Sequence, residues 1–140
     1  MDKVQVVLDN NYRTSITSRQ HVFHSDSPNE GGKDTASTPE EMLLGAMGSC
    51  MAMTAKMYAN RKGWNLERVE VSLSLQRFNG KDYPKYEGDA PFVHEITEEI
   101  HFFGDLDEDQ LARLKEISHK CPVRRVLANP VFFAEPIVEG

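Results

Sequence analysis

The 140 residues carry 16 basic and 22 acidic side chains, a formal net charge of −6 with histidine neutral. A chain of that length buries roughly two thirds of its unfolded surface, enough for a core without disulfide or metal staples. The acidic balance, with Arg124-Arg125 as the only basic cluster, argues against nucleic acid or an anionic membrane as partner, and 39% hydrophobic residues with only seven Pro exclude the disordered and fibrous classes.

The start, MDKVQVVLDNNYR, lacks the basic, apolar and small-residue regions of a signal peptide. No stretch reaches the ~20 apolar residues of a membrane span, so a cytoplasmic protein is expected. Residues 4–8 and about 12–24 are rich in β-branched and aromatic side chains around the turn-forming Asp9-Asn10-Asn11, and read as a hairpin. The Ser-, Gly- and Pro-rich stretch 25–39 follows. Ser37-Thr38-Pro39-Glu40-Glu41 then combines a hydroxyl cap, a first-turn proline and acids, which starts a helix.

That helix runs from Glu40 to about Arg61 and is uncharged from Met42 to Ala55, so it is expected to be enclosed on nearly all sides, with Gly63 as its C-terminal cap. Residues 69–78 alternate Val69, Val71, Leu73 and Leu75 with polar residues, a half-buried strand. After a polar connection over 79–91, FVHEITEEIHFFG (92–104) reads as its antiparallel partner. Leu106, Leu111, Leu114 and Ile117 space an amphipathic helix over 105–120. Cys121-Pro122 interrupts it, residues 123–129 allow one or two more helical turns, and PVFFAEPIVEG (130–140) reads as a terminal strand. The order is α+β in a single domain over 1–140, without regular βαβ alternation. A chain this small has little to cover every face of the apolar helix, which points to a homodimer built across it.

Two cysteines are too few for a disulfide scaffold, and a reducing compartment disfavours a lasting bridge. Cys50, in the middle of the apolar helix, reads either as a core cysteine or as a thiol that needs an imported cation to ionise. Cys121 precedes Pro122, so its sulfur is expected at a helix N-terminus where N–H groups favour the thiolate. His119, Arg124 and Arg125 add positive charge nearby, and the position after a surface helix makes it more approachable than an arbitrary core thiol; a plain capping or buried cysteine is the other reading. The five histidines show no HxxxH or HExxH spacing, Asp105–Asp109 lacks the glycine and terminal Glu of a calcium loop, and no phosphate loop or hydrolase elbow is present, so no metal or cofactor is expected.

Thr38-Pro39-Glu40-Glu41-Met42-Leu43-Leu44-Gly45-Ala46-Met47-Gly48-Ser49-Cys50-Met51-Ala52-Met53-Thr54, with Tyr58 and Lys62-Gly63-Trp64, resembles the central helix of OsmC/Ohr proteins, the osmotically inducible and organic-hydroperoxide-resistance proteins. His119-Lys120-Cys121-Pro122-Val123 resembles the family's second-cysteine motif. The similarity runs over nearly the whole chain, includes Gly31-Gly32, and is greatest to the OsmC-like branch.

The resemblance implies an α+β fold of antiparallel sheets packed around a long buried helix, in an intertwined homodimer with two interface sites. It implies a thiol peroxidase in which Cys50 attacks a hydroperoxide and Cys121 resolves it to a disulfide, with a cellular dithiol as reductant. Glu40 matches the family glutamate, and Arg13, with Arg19 in reserve, the arginine placed over the reactive sulfur. On a continuous helix Glu40 and Cys50 stand about 15 Å apart, so Glu40 acts through a bridging arginine or from a partner subunit, or is simply a first-turn acid. The disulfide requires Cα atoms within about 7 Å. Met47, Met51 and Met53 would suit an organic hydroperoxide better than hydrogen peroxide. The rivals are a redox-sensing dimer and one that binds a small apolar ligand without turnover.

Overall fold

The computed structural model describes Met1 and residues 3–136. Its elements are β1 (Val4–Leu8), β2 (Thr14–Ser18), β3 (His21–Ser25), α1 (Pro39–Lys62), β4 (Asn65–Asn79), β5 (Phe92–Asp105), α2 (Glu108–Ser118) and α3 (Pro122–Ala128). The chain divides into two compact units, one over residues 1–45 and one from Ala46 onward.

In the first unit β1, β2 and β3 form an antiparallel sheet in that order, with Val6 opposite Ile16 and Ile16 opposite Phe23. The stretch 12–24, expected as one strand, is two. Ser18 pairs with His21, leaving Arg19-Gln20 as a two-residue turn in which Arg19 adopts φ 54°. That left-handed conformation is ordinarily given to Gly or Asn, and neither residue is there to announce it.

The Ser- and Gly-rich stretch is tied to Asp26, which is 3% exposed. Its carboxylate accepts from the Ser27 N–H at 2.8 Å, the Thr35 N–H at 3.0 Å and the Thr35 hydroxyl at 2.6 Å. The hydrogen bonds from Thr35, foremost that of its hydroxyl, hold the Asp26 carboxyl below the ordinary carboxylate range.

α1 opens with a capping box: Thr38 Oγ1 accepts the Glu41 N–H at 3.2 Å while Glu41 Oε1 accepts the Thr38 N–H at 2.8 Å. At the other end Gly63, at φ 71°, takes the left-handed position that a Cβ disfavours. The Gly63 N–H donates to Asn60 and the Trp64 N–H to Ala59, the paired bonds of a Schellman stop.

In the second unit β4 and β5 form a long antiparallel pair with Val69 opposite Phe102, Val71 opposite Ile100 and Leu75 opposite Ile96. α1 lays one stripe on this pair, Met47, Met51, Ala55 and Ala59, each at most 1% exposed. Gly48 permits the close approach, since a Cβ there would stand 3.3 Å from Leu73 Cδ1. The expected enclosure of α1 is met on that side alone within one chain. Met53 and Met57 are 60% and 57% exposed.

α2 follows a second capping box, Asp107 with Gln110, and sends Leu114 into the core with Ala55, Ala59 and Leu66. The expected terminal strand over 130–140 is not formed by residues 130–136, which lack strand pairing and expose Phe132 and Phe133; the remainder of that expectation lies outside the described residues.

Candidate functional site

Three elements of the second unit converge on the sulfurs. The four-residue spacing of Met47 and Met51 turns both inward on α1, and Cys50 lies at the edge of the same stripe, half-buried. α2 ends at Ser118, and the Lys120 and Cys121 N–H groups donate back to Ile117 and Ser118. This turn places Cys121 at the cap of α3, with Pro122 in the first helical position. There Cys121 Sγ accepts the Arg124 N–H at 3.3 Å. The result is a cluster of Met47, Met51 and Cys121 against which Cys50 packs, so that the two thiols share one apolar setting. Residues far apart in the sequence thus come together.

Cys121 follows the reading of a buried, capping cysteine and not that of an approachable one. Cys121 is fully buried, while Cys50, in mid-helix, is partly open. The cap position does supply an N–H to the Cys121 sulfur, which favours the thiolate. Burial outweighs it and pushes the thiol upward, and the neighbouring Cys50 adds to the rise.

Sequence reasoning counted Arg124 and His119 as bare positive charge beside Cys121 and missed their partner. Glu98 on β5 stands opposite Leu73, on the face that carries Ile96 and Ile100 toward α1, and its side chain is 17% exposed. Arg124 Nε donates to Glu98 Oε1 at 2.7 Å and Nη2 to Oε2 at 3.3 Å, a two-pronged pair, while Nη1 reaches the His119 carbonyl at 3.3 Å. His119 Nε2 lies 3.6 Å from Glu98 Oε2 and completes an ion pair when the imidazole is protonated. The signal was present in the sequence: in Ile96, Glu98, Ile100, Phe102 a carboxylate occupies an apolar register position. A cavity of about 200 Å³ beside the pair is lined by Met47, His94, Ile96, Glu98, Arg124 and Leu127, among others.

The remaining expected site residues lie in the first unit. Arg13 Nη1 donates to the Thr35 hydroxyl at 2.6 Å, and so joins the Asp26 network. Arg19 occupies the β2–β3 turn. Glu40 is exposed in the first turn of α1, where the capping carboxylate is that of Glu41. Among the described residues no three His, Cys, Asp or Glu side chains gather as a metal site, and no helix is long and apolar enough to cross a membrane.

The sequence model of the OsmC-like protein family matches residues 31–135. No curated protein matches the chain significantly. Among solved structures, one of a protein assigned to osmotic stress induction and the detoxification response in Psychrobacter arcticus 273-4 superposes with a TM-score of 0.71 at 21% identity, over 89% of this chain and 87% of that one. An organic hydroperoxide resistance protein OsmC from Legionella pneumophila gives 0.63 at 19% identity over 89% and 87%. The organic hydroperoxide resistance protein OhrB of Bacillus subtilis gives 0.60 at 18% identity over 89% and 90%. At these identities the likeness is one of fold, an α+β arrangement of antiparallel sheets and helices.

Proposed function

The chain belongs to the OsmC-like protein family, and from that premise we propose that it is a cytoplasmic, homodimeric, thiol-dependent peroxidase of organic hydroperoxides. The observation that carries the reading is the contact of a half-buried Cys50 with a buried Cys121 in a methionine-lined cluster. The Cys50 thiolate attacks the outer oxygen of ROOH; the O–O bond breaks, the leaving alkoxide takes a proton as ROH, and Cys50 becomes a sulfenic acid. Cys121 then attacks that sulfur, releasing water and forming the disulfide. A cellular dithiol restores both thiols by exchange and leaves as its own disulfide. Arg13 and Glu40 keep the roles the resemblance gives them, the guanidinium that favours the thiolate and its carboxylate partner.

Two further features support the proposal. The family match, over residues 31–135, crosses the boundary between the two compact units, consistent with one OsmC-like domain. The exposed Met53 and Met57 of α1 are the apolar face that a second copy would cover.

The test is intact-mass measurement after one equivalent of cumene hydroperoxide. Loss of about 2 Da per chain, absent in Cys50→Ser and in Cys121→Ser, is the expected result of one disulfide. With excess dithiol, consumption of cumene hydroperoxide is expected to outpace that of hydrogen peroxide. An unchanged mass overturns the mechanism, and a disulfide formed without sustained consumption leaves a redox sensor.

A further inference from the structure

The thiol-peroxidase reading gives no work to Glu98, yet a partly desolvated carboxylate between Ile96 and Ile100 on the sheet is costly unless it is paired. It is paired twice over, and both partners flank Cys121 in sequence: Arg124 three residues after it and His119 two before. The Arg124 residue also reaches the sulfur itself, since its N–H donates to Cys121 Sγ at 3.3 Å. One residue therefore touches the thiol with its backbone and the carboxylate with its side chain. Pulling the guanidinium onto Glu98 fixes the first turn of α3, and with it the rotamer of Cys121 against Cys50.

We propose that Glu98 is a positioning residue for the resolving cysteine: by holding and neutralising Arg124 it keeps Cys121 a buried, protonated thiol facing Cys50, so that the hydroperoxide meets only one nucleophile. The proposal rests on the reading of Cys121 as the resolving thiol. The arrangement is one of charge balance. The groups that act on Cys121 directly are Cys50 from α1 and Arg124 on α3; behind Arg124 stand Glu98 and, lining the same cavity, His94 from β5, with His119 against Glu98. Of these Arg124 favours a thiolate, and Glu98 offsets it. Burial then leaves the neutral form dominant. Deprotonation is deferred until Cys50 carries the sulfenic acid, when the proton of Cys121 leaves with the hydroxyl as water.

The test isolates one sulfur. In Cys50→Ser the only thiol is Cys121, and its ionisation is read from ultraviolet absorbance near ~240 nm as pH rises, with Cys50→Ser/Cys121→Ser as the blank. Adding Glu98→Gln should move the midpoint down by about one pH unit, because the guanidinium loses its counter-charge. Adding Arg124→Gln instead should move it up, and the double substitution should bring it back near the parent. Glu98→Asp should behave as the parent. Opposite shifts are not what loosening produces, since an opened site lowers a raised thiol in both variants. Two downward shifts, or none, overturn the proposal; if Glu98→Gln does not fold, Glu98→Met, which keeps the bulk and removes the charge, carries the same expected downward shift. Shifts as expected in a protein that consumes no hydroperoxide overturn the peroxidase reading and support Glu98's hold on Cys121. Turnover with unmoved midpoints does the reverse.

Discussion

The two halves of the α1 stripe in the second unit are built on one spacing and packed with opposite chemistry. Ala55 and Ala59 meet Leu66 and Leu114, with Tyr58 and Trp64 set edge to face beside them at 5.5 Å between ring centroids. Small helical residues let the neighbouring chain approach closely, and nothing in that cluster of buried residues titrates. One turn earlier Met47 and Met51 meet Cys121, Cys50 packs in from the side, and Glu98 with Arg124 borders the cavity beside Met47. The first arrangement serves stability alone. The second accepts a buried thiol and a partly buried ion pair, groups that cost stability and make sense where chemistry is performed.

The sharpest way to break the contrast is Leu114→Ala. A fully buried leucine at the centre of the hydrocarbon half should cost about 2–5 kcal/mol in urea denaturation, through lost transfer energy and the cavity left behind. Trp64, the only tryptophan, reports on that half, so its emission should shift in the variant. Below the denaturation midpoint the variant should still form the Cys50–Cys121 disulfide after hydroperoxide treatment. If it does not, the two halves are one cooperative site and the division is wrong.

A smaller effect is expected where α2, which delivers Leu114, begins. Asp107 accepts the Gln110 N–H at 2.8 Å, and the Gln110 side chain accepts the Asp107 N–H at 2.9 Å. Asp107→Ala should cost about 1 kcal/mol; each substitution removes one of the two reciprocal bonds, and Gln110→Ala should cost less because its acceptor is a neutral amide and not a carboxylate at the positive helix end. Both belong to the stability half, and neither should alter the rate of disulfide formation. Thermal denaturation beside single-turnover mass measurement separates the two readouts.

The sequence makes the stability half plain and hides much of the chemical one. Val69, Val71, Leu73 and Leu75 alternate cleanly, and β4 extends beyond them on both sides. The acids and leucines around α2 announce its cap and its buried face. Periodicity reports what is buried together, but α1 is apolar on every side, so its sequence does not mark Met47, Met51, Ala55 and Ala59 as the buried stripe. It does not report which thiol lies deeper. That order depends on the turn after Ser118, which folds Cys121 beneath its own helix. Nor does composition announce a tight turn where Arg19 takes the left-handed conformation. Glu98 was hidden because a charge within an alternating strand is read by default as facing water. Its register between Ile96 and Ile100 points the other way, and only the pair with Arg124 explains why it is tolerated there.

Alkaline titration gives the subtlest separation of the halves. Burial raises the Cys121 thiol in the folded chain above the value of about 8.5 expected when unfolded. The folded form therefore holds its proton over a pH range in which the unfolded form has released it. With more protons bound in the folded state, stability must fall as pH rises through that range, starting near the unfolded value and continuing up to the folded one. Below about pH 8 the loss should be slight, since few of the unfolded thiols are ionised there, and it should steepen above the unfolded value. Cys121→Ala removes the titrating group, so its denaturation midpoint should decline less over the same range, although the variant starts lower for want of the buried sulfur. Leu114→Ala, by contrast, should shift the whole curve downward and leave its alkaline slope unchanged. Parallel curves for wild type and Cys121→Ala would mean that the thiol titrates alike in the folded and unfolded chain, and the raised, protonated Cys121 on which the charge balance around Glu98 depends would be absent.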